Sequence, residues 1–424
     1  MMARDNSIKY MGTATQIFLV LNVLIMFCGN TKLLNVAPNM MIAAFVCLFL
    51  NAKVKGFSRN AYSIIQRKEN IFIILLGLFT LFIGWQYLTV GFDKNVVFVY
   101  FIRYVIYTAL LFFVPKPNVG DKMISLEKAY GTICGISYLL MVPFKGASIG
   151  GLLGNYQAVG MMMSITAFIY MIDYFEKEND WTKRKNLLGF IFCVLCVFVT
   201  GKRTFSMLAV LSFVLVFVFT KKKDKLKDFI KIGITAAAGI AIAYICFEPV
   251  RNLADRLIFA DYTDQYTFSS GRNILWAMAL DVFRGHKLTG IGFGCFPQYT
   301  ARYYAGNSHA GKWHPHNIYY GLLSNVGIIG TTLFLAFVIV ALIYTIYTMR
   351  KMYRTQTTEL KRIMMYSLMM QLWFVIYGYS GNAIFDANEM YFYVMAIALT
   401  LSASVYINKL EIHTKIRDAK KETC

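Results

Sequence analysis

Residues 187–220, LLGFIFCVLCVFVTGKRTFSMLAVLSFVLVFVFT, decide the fold. Two apolar runs, 187–200 and 205–220, flank Gly201-Lys202-Arg203-Thr204. One helix through both would be roughly 50 Å long at about 1.5 Å per residue, too long for a hydrocarbon core of roughly 30 Å. The chain must therefore turn at Gly201, and each arm becomes a short membrane-crossing helix. The tip, with two cations, then lies at or just beneath the outer interface. Cations there either reach to lipid phosphates along their flexible stems or hold an anionic ligand in a protein cavity.

Outward from this hairpin the same alternation continues. Apolar runs near 15–30, 36–52, 71–90, 96–114, 123–143, 156–174, 186–201, 204–220, 231–248, 317–348, 363–380 and 388–407 predict about twelve transmembrane helices. The fold class is all-α, a polytopic membrane protein with one large outer loop that contains short helices. Only 15% of the 424 residues are charged, against about 25% in soluble domains. The net charge of +21 is no nucleic-acid footprint. With alternating loops, 29 of the 43 Lys and Arg fall on the cytoplasmic side, as the positive-inside bias requires. The short outer loops hold only Lys32, Lys94, Lys145, Lys202 and Arg203. Both termini come out cytoplasmic, so the number of crossings is even. Residues 1–248 carry helices one to nine, 249–316 the outer loop, and 317–424 the last three helices and a cytoplasmic tail. The first apolar run lacks a small-residue cleavage site and reads as a signal anchor. Cys193 and Cys196 lie one turn apart inside an apolar run, where packing explains them better than redox or metal chemistry.

The outer loop carries twelve aromatics in 68 residues, among them Tyr262, Tyr266, Trp276, Tyr303 and Trp313. Ser269-Ser270-Gly271-Arg272 reads as a helix start, followed by an apolar stripe of Leu275, Met278, Ala279, Val282 and Phe283, with Gly285 as the stop. Arg272 in a first turn opposes the helix dipole unless an anion joins both. Gly290-Ile291-Gly292-Phe293-Gly294 follows no strand and is expected to be a flexible, tightly turning loop, not a dinucleotide site. His309, His314 and His316 have no carboxylate or Cys beside them and do not make a persuasive zinc site. His316, between Pro315 and Asn317 at the membrane entry, is the candidate to take a proton from a sugar hydroxyl. An interfacial structural histidine is the alternative. Arg103 inside a membrane helix calls for a polar cavity or a partner, and Asp386 is a candidate orienting partner for an arginine or histidine.

The order of these pieces resembles the O-antigen ligase and polymerase superfamily of bacterial membrane glycosyltransferases. The resemblance rests on Thr200-Gly201-Lys202-Arg203-Thr204, Gly271-Arg272-Asn273-Ile274-Leu275-Trp276 and Leu288-Thr289-Gly290-Ile291-Gly292-Phe293-Gly294. His314-Pro315-His316-Asn317-Ile318-Tyr319 and Asn325-Val326-Gly327-Ile328-Ile329-Gly330 complete it. Gly154-Asn155 resembles a weaker asparagine motif of the family. The likeness implies Arg203 and Arg272 as the groups that hold a lipid diphosphate. It implies His316 as general base or acceptor-positioning residue, and Lys202, Arg103, Asn155, Asn317 and Asp386 as substrate-binding. It also implies a donor glycan on undecaprenyl diphosphate, a glycan or lipid-core acceptor, contact with membrane lipids, and neither metal nor cofactor. The bacterial cytoplasmic membrane is the implied location. Polymerisation of capsule or O-antigen repeat units is preferred to ligation onto lipid A-core. A flippase or solute transporter would show internal repeats and midplane polar residues, and neither is apparent.

Overall fold

The computed structural model describes residues 57–59, 71–89, 91–146, 150–176, 179–220, 225–246, 248, 251–252, 255 and 271–422. The expected spans 15–30 and 36–52, and the loop segment with Tyr262 and Tyr266, lie outside the described residues. Twelve α-helices are described: α1 Ile71–Leu88, α2 Lys94–Leu110, α3 Pro117–Lys145, α4 Tyr156–Glu176, α5 Asp180–Val199, α6 Arg203–Phe219, α7 Lys225–Cys246, α8 Arg272–Gly285, α9 Phe296–Tyr303, α10 Ile318–Arg354, α11 Lys361–Gly378 and α12 Ala387–Glu422. A helix therefore stands at each of the ten remaining expected spans. Five of these helices are long and apolar enough to cross a membrane, and α6 is a shorter apolar helix.

Two details depart from an all-helical reading. The run expected at 96–114 stops being helical at Leu110, and Phe113–Pro115 forms a strand. It pairs antiparallel with Phe57–Arg59, Phe57 opposite Pro115 and Arg59 opposite Phe113. Pro115 sits at the strand's end and Pro117 at the first turn of α3, positions where a missing N–H costs least.

Where the helices begin is written in capping chemistry. Asp93, Asn179 and Asn317 each accept two backbone N–H bonds at the starts of α2, α5 and α10, satisfying donors that the helix leaves unpaired. Gly201, at φ 66, makes the hairpin turn between α5 and α6. Helices α4 and α12 are buried along nearly their whole apolar length and form the centre of the bundle. Outer helices instead expose large apolar side chains such as Leu81, Leu140, Leu188 and Met207, which suits contact with lipid rather than water.

The far end of the bundle is tied by ions. Lys128 Nζ lies 2.7 Å from Asp173 Oδ2 and 2.6 Å from Asn186 Oδ1. Arg362 Nε reaches Asp173 Oδ1 at 2.7 Å and Arg362 Nη1 reaches Asp121 Oδ1 at 2.8 Å. These contacts join α3, α4, α5 and α11.

The apolar run 317–348 is one continuous helix in the sequence reading, but α10 is broken at Gly327, with φ 60 and ψ −164. A break inside an apolar helix frees backbone groups that need partners. The glycine loop supplies them. Ile328 N donates to Lys287 O at 2.8 Å and Ile329 N to Leu288 O at 3.2 Å. In return Ile291 N and Gly292 N donate to Ser324 O and Asn325 O at 3.3 and 3.0 Å. Gln86 of α1, fully buried, donates to Thr289 O and Asn325 O and accepts from Phe293 N. The expected flexible loop is thus a packed one, with Ile291, Phe293, Cys295 and Phe296 buried.

Glycine is required on both sides of this lock. A Cβ at Gly327 would stand 2.4 Å from Leu288 C, and one at Gly290 would stand 2.3 Å from Asn325 C. Gly327→Ala and Gly290→Ala should each cost at least roughly 1–3 kcal/mol from backbone strain alone, seen as a lower thermal midpoint or loss of the monodisperse peak in detergent. Gly233→Ala, which meets nothing within 4 Å, should leave both unchanged. Equal midpoints for Gly327→Ala and Gly233→Ala would contradict the lock.

Candidate functional site

The segment from Tyr379 to Asn382, just after α11, gathers the residues that the sequence singled out. Arg272 Nη1 donates to Ser380 O at 2.9 Å. Ser380 Oγ donates to Thr204 Oγ1 at 3.0 Å, which ties in the start of α6. Asn382 Oδ1 accepts from the His316 backbone N–H at 2.9 Å, and its Nδ2 lies 3.1 Å from His316 Nδ1. Asn317 Nδ2 donates to Tyr379 O at 3.0 Å. Three stretches far apart in sequence, near residues 203, 272 and 316, are so held against one four-residue turn.

Each cation reaches the turn for a local reason. Gly201 in the left-handed region lets α5 end and α6 begin within three residues, leaving Lys202 as N-cap and Arg203 in the first turn. Gly271, at φ 77, does the same before Arg272 at the start of α8. The buried stripe of α8 is Leu275, Met278, Ala279 and Val282, which seats that helix on α10. Trp276 Nε1 donates to Pro315 O at 2.9 Å and so couples α8 to the histidine segment. Two helix N-termini, each with a cation in its first turn, face one region. Both the dipoles and the side chains there favour an anion.

The electrostatics agree. Burial pulls the Arg272 pKa below the ordinary arginine value, and nearby Arg203 adds to that. His316 is pushed down to about 4, first by burial and then by Arg272 and Lys202. It is therefore neutral at pH 7. Its backbone occupies the left-handed region at φ 51, uncommon for a residue with a Cβ. Lys202 Nζ also sits 4.7 Å over the Tyr156 ring, which brings the Asn155 segment beside the cations.

Not every predicted site residue faces this region. Asn317 is buried and spends both ends of its amide, capping α10 with Oδ1 and holding Tyr379 O with Nδ2. It pins the start of α10 to the turn after α11. Asn155 Oδ1 likewise caps α4 by accepting from Gln157 N at 2.8 Å. His314 stacks on Phe385 at 4.1 Å between ring centroids, with a buried Nδ1 that has no hydrogen-bond partner. Among the described residues no group of three or more His, Cys, Asp or Glu could hold a metal ion.

Arg103 and Asp386 belong to a neighbouring cluster. Arg103 Cζ lies 5.1 Å over the Tyr100 ring, its Nε is buried without a partner, and Asp386 is within electrostatic reach. Asp386 is within hydrogen-bonding reach of Glu389, and Glu389 of Tyr377. Tyr377 in turn feels the charge of Arg272. The sequence reading missed Tyr377, Ser380, Asn382 and Glu389. Only Asn382 lies in the short polar loop between the last two apolar runs; Tyr377, Ser380 and Glu389 fall within those runs.

A small apolar depression between α4, α6 and α11 is lined by Phe168, Leu208, Leu211, Met369, Trp373 and Ile376.

Residues 188–335 match a family model described as O-Antigen ligase. The match includes Arg203, Arg272 and His316 and ends before the Tyr379–Asn382 turn. No curated protein matches the chain.

Two imidazoles with depressed pKa values make the folded state acid-sensitive. Burial and His316 push His314 down from 6.5 to about 3, so below about pH 6.5 the unfolded chain takes up the proton first. Stability is complete above that pH and is lost as pH falls toward the folded-state value. His314→Phe keeps the stack on Phe385. It should therefore show a smaller fall in thermal midpoint between pH 7 and pH 5 than the wild type. An identical pH dependence would show that His314 is not the sensitive group.

Proposed function

We propose, from the O-antigen ligase domain over residues 188–335, that this membrane protein is a glycosyltransferase using a glycan carried on undecaprenyl diphosphate. The observation that carries the reading is the meeting of Lys202, Arg203, Arg272 and His316 at one turn. Cations and helix N-termini suit a diphosphate, and the exposed apolar faces of the outer helices suit an isoprenoid chain. Aromatic side chains of the outer loop offer flat faces to sugar rings.

An acceptor hydroxyl attacks the anomeric carbon. The new carbon–oxygen bond forms as the bond to the diphosphate oxygen breaks, and that oxygen leaves with the electron pair. The hydroxyl proton ends, in the net reaction, on the released undecaprenyl diphosphate. Arg203 and Arg272 stabilise the charge that grows on the leaving group, the usual work of preorganised cations. The reaction takes place at the outer face of the bacterial cytoplasmic membrane, with both termini inside. Within this class, polymerisation of capsule or O-antigen repeat units is the preferred reaction. Ligation to lipid A-core would use the same groups with a different acceptor.

Orientation is checked by reporter tags. Fusions after Lys225 and at the C-terminus should report cytoplasm, and one near Tyr303 should report the exterior. A cytoplasmic signal from residue 303 would put the cations on the wrong side for this reaction. The clamp is checked by substitution in nanodiscs with a synthetic lipid-linked donor. Arg203→Ala and Arg272→Ala should each lower turnover at least about 100-fold, as losing a preorganised charge contact does, with normal folded yield. Lysine should restore little, because a point charge lacks the two-pronged guanidinium geometry. Full activity in both alanine variants would remove the clamp from the mechanism.

A further inference from the structure

The contact between Asn382 and His316 fixes more than a position. Asn382 meets the histidine at two points, its Oδ1 at the backbone N–H and its Nδ2 at the imidazole Nδ1. The amide has no choice of orientation, because a backbone N–H can only donate and so must face the oxygen. The opposite end is then the NH2 group, which can only donate. Nδ1 facing it must accept, and a neutral imidazole that accepts at Nδ1 carries its proton on Nε2.

The ring therefore spends its one basic lone pair inside the protein. Among the described residues Nε2 has no hydrogen-bond partner, so its N–H remains free to donate. Among the described residues, the charged groups around the ring are Lys202 at the hairpin tip and Arg272 on α8, with neutral His314 on the same loop. Both cations oppose a second proton on the ring and both favour an anionic oxygen beside it. A group in this state is poorly suited to remove a proton and well suited to join an anion clamp.

We propose that Asn382 sets His316 as its Nε2–H tautomer, and that His316 donates a hydrogen bond from Nε2 to a diphosphate oxygen held by Lys202 and Arg272. Asn382 is then a positioning residue, acting through His316. The inference rests on the lipid-diphosphate reading above for the identity of the anion, but not for the tautomer. It changes the role expected of His316 from proton acceptor to donor in the clamp. The acceptor's proton does not pass through this ring, and no bond of His316 is made or broken.

Histidine-selective 15N labelling and NMR of the protein in nanodiscs test the tautomer without any substrate. The five histidines are distinguished by the signals lost in His316→Gln. At pH 7 the wild type should show Nδ1 unprotonated and Nε2 protonated. Asn382→Asp keeps the acceptor for the backbone N–H but offers a carboxylate to the ring, so the proton should move to Nδ1. A wild-type ring protonated on Nδ1, or no change in Asn382→Asp, would overturn the assignment.

Function is tested with two variants at one position. A glutamine amide donates near the place of Nε2 but cannot take up a proton. His316→Gln should therefore bind undecaprenyl diphosphate and turn over within about tenfold of wild type. His316→Ala should lose roughly 10–100-fold in both, the range for a hydrogen bond to a charged group. Glutamine and alanine variants equally inactive, with binding intact, would establish a general base and overturn the donor role. Asn382→Asp should lose turnover at pH 7, and increased turnover there would also overturn it. Undecaprenyl diphosphate binding in Arg203→Ala and Arg272→Ala separates the two ideas. If it is unaffected the diphosphate reading fails, whereas loss there with no loss in His316→Ala defeats this inference alone.

Discussion

The architecture depends on a helix that does not run through. At Gly327 the backbone of α10 leaves helical geometry inside an otherwise apolar run, and unpaired peptide groups in such a place are costly. The loop from Lys287 to Phe296 meets that cost by trading backbone hydrogen bonds with both sides of the break. Gln86 and Asn325, both fully buried, close the remaining gaps. The outer segment is consequently anchored within the helical bundle and not merely laid over it. Since α8 leads into this loop, its N-terminus and Arg272 inherit a fixed position.

From that anchor the charged region follows. Arg272 arrives from α8, Arg203 from a hairpin tip, and His316 from the entry to α10, and all are registered by one turn after α11. Lys202, Arg203 and Arg272 gather here, whereas Asp386 and Glu389 sit with Arg103 and Tyr377 in the adjoining cluster. Like charges held this close repel one another, and a polyanion among them relieves that repulsion.

Much of this was legible in the sequence. The turn at Gly201 followed from the length of the apolar run, and the start and stripe of α8 followed from capping and period. Arg203, Arg272 and His316 stood out because charge and imidazole are rare in such surroundings. The break at Gly327 was not legible, since Asn325-Val326-Gly327-Ile328 reads as uninterrupted helix and only its partner loop, some thirty residues earlier, explains the glycine. Asn382 and Ser380 were hidden for a related reason. Their roles exist only in relation to segments more than sixty residues away, and a polar side chain in a short loop looks like an ordinary turn residue. The capping role of Asn317 at the start of α10 was likewise not read from the sequence.

The ion knot at the other end of the bundle bears on how the chain is assembled as it is made. Asp173 meets Lys128 across 45 residues and Arg362 across 189. The ribosome delivers Lys128 first, so the carboxylate enters the membrane with its neutralising partner already beside it. Helices α3 to α5 then form a charge-balanced unit long before α11 is synthesised. Arrival of Arg362 brings a surplus positive charge to that unit and recruits Asp121 to balance it. The turn that assembles the charged region follows at the other end of α11, so it is among the last parts of the protein to be synthesised.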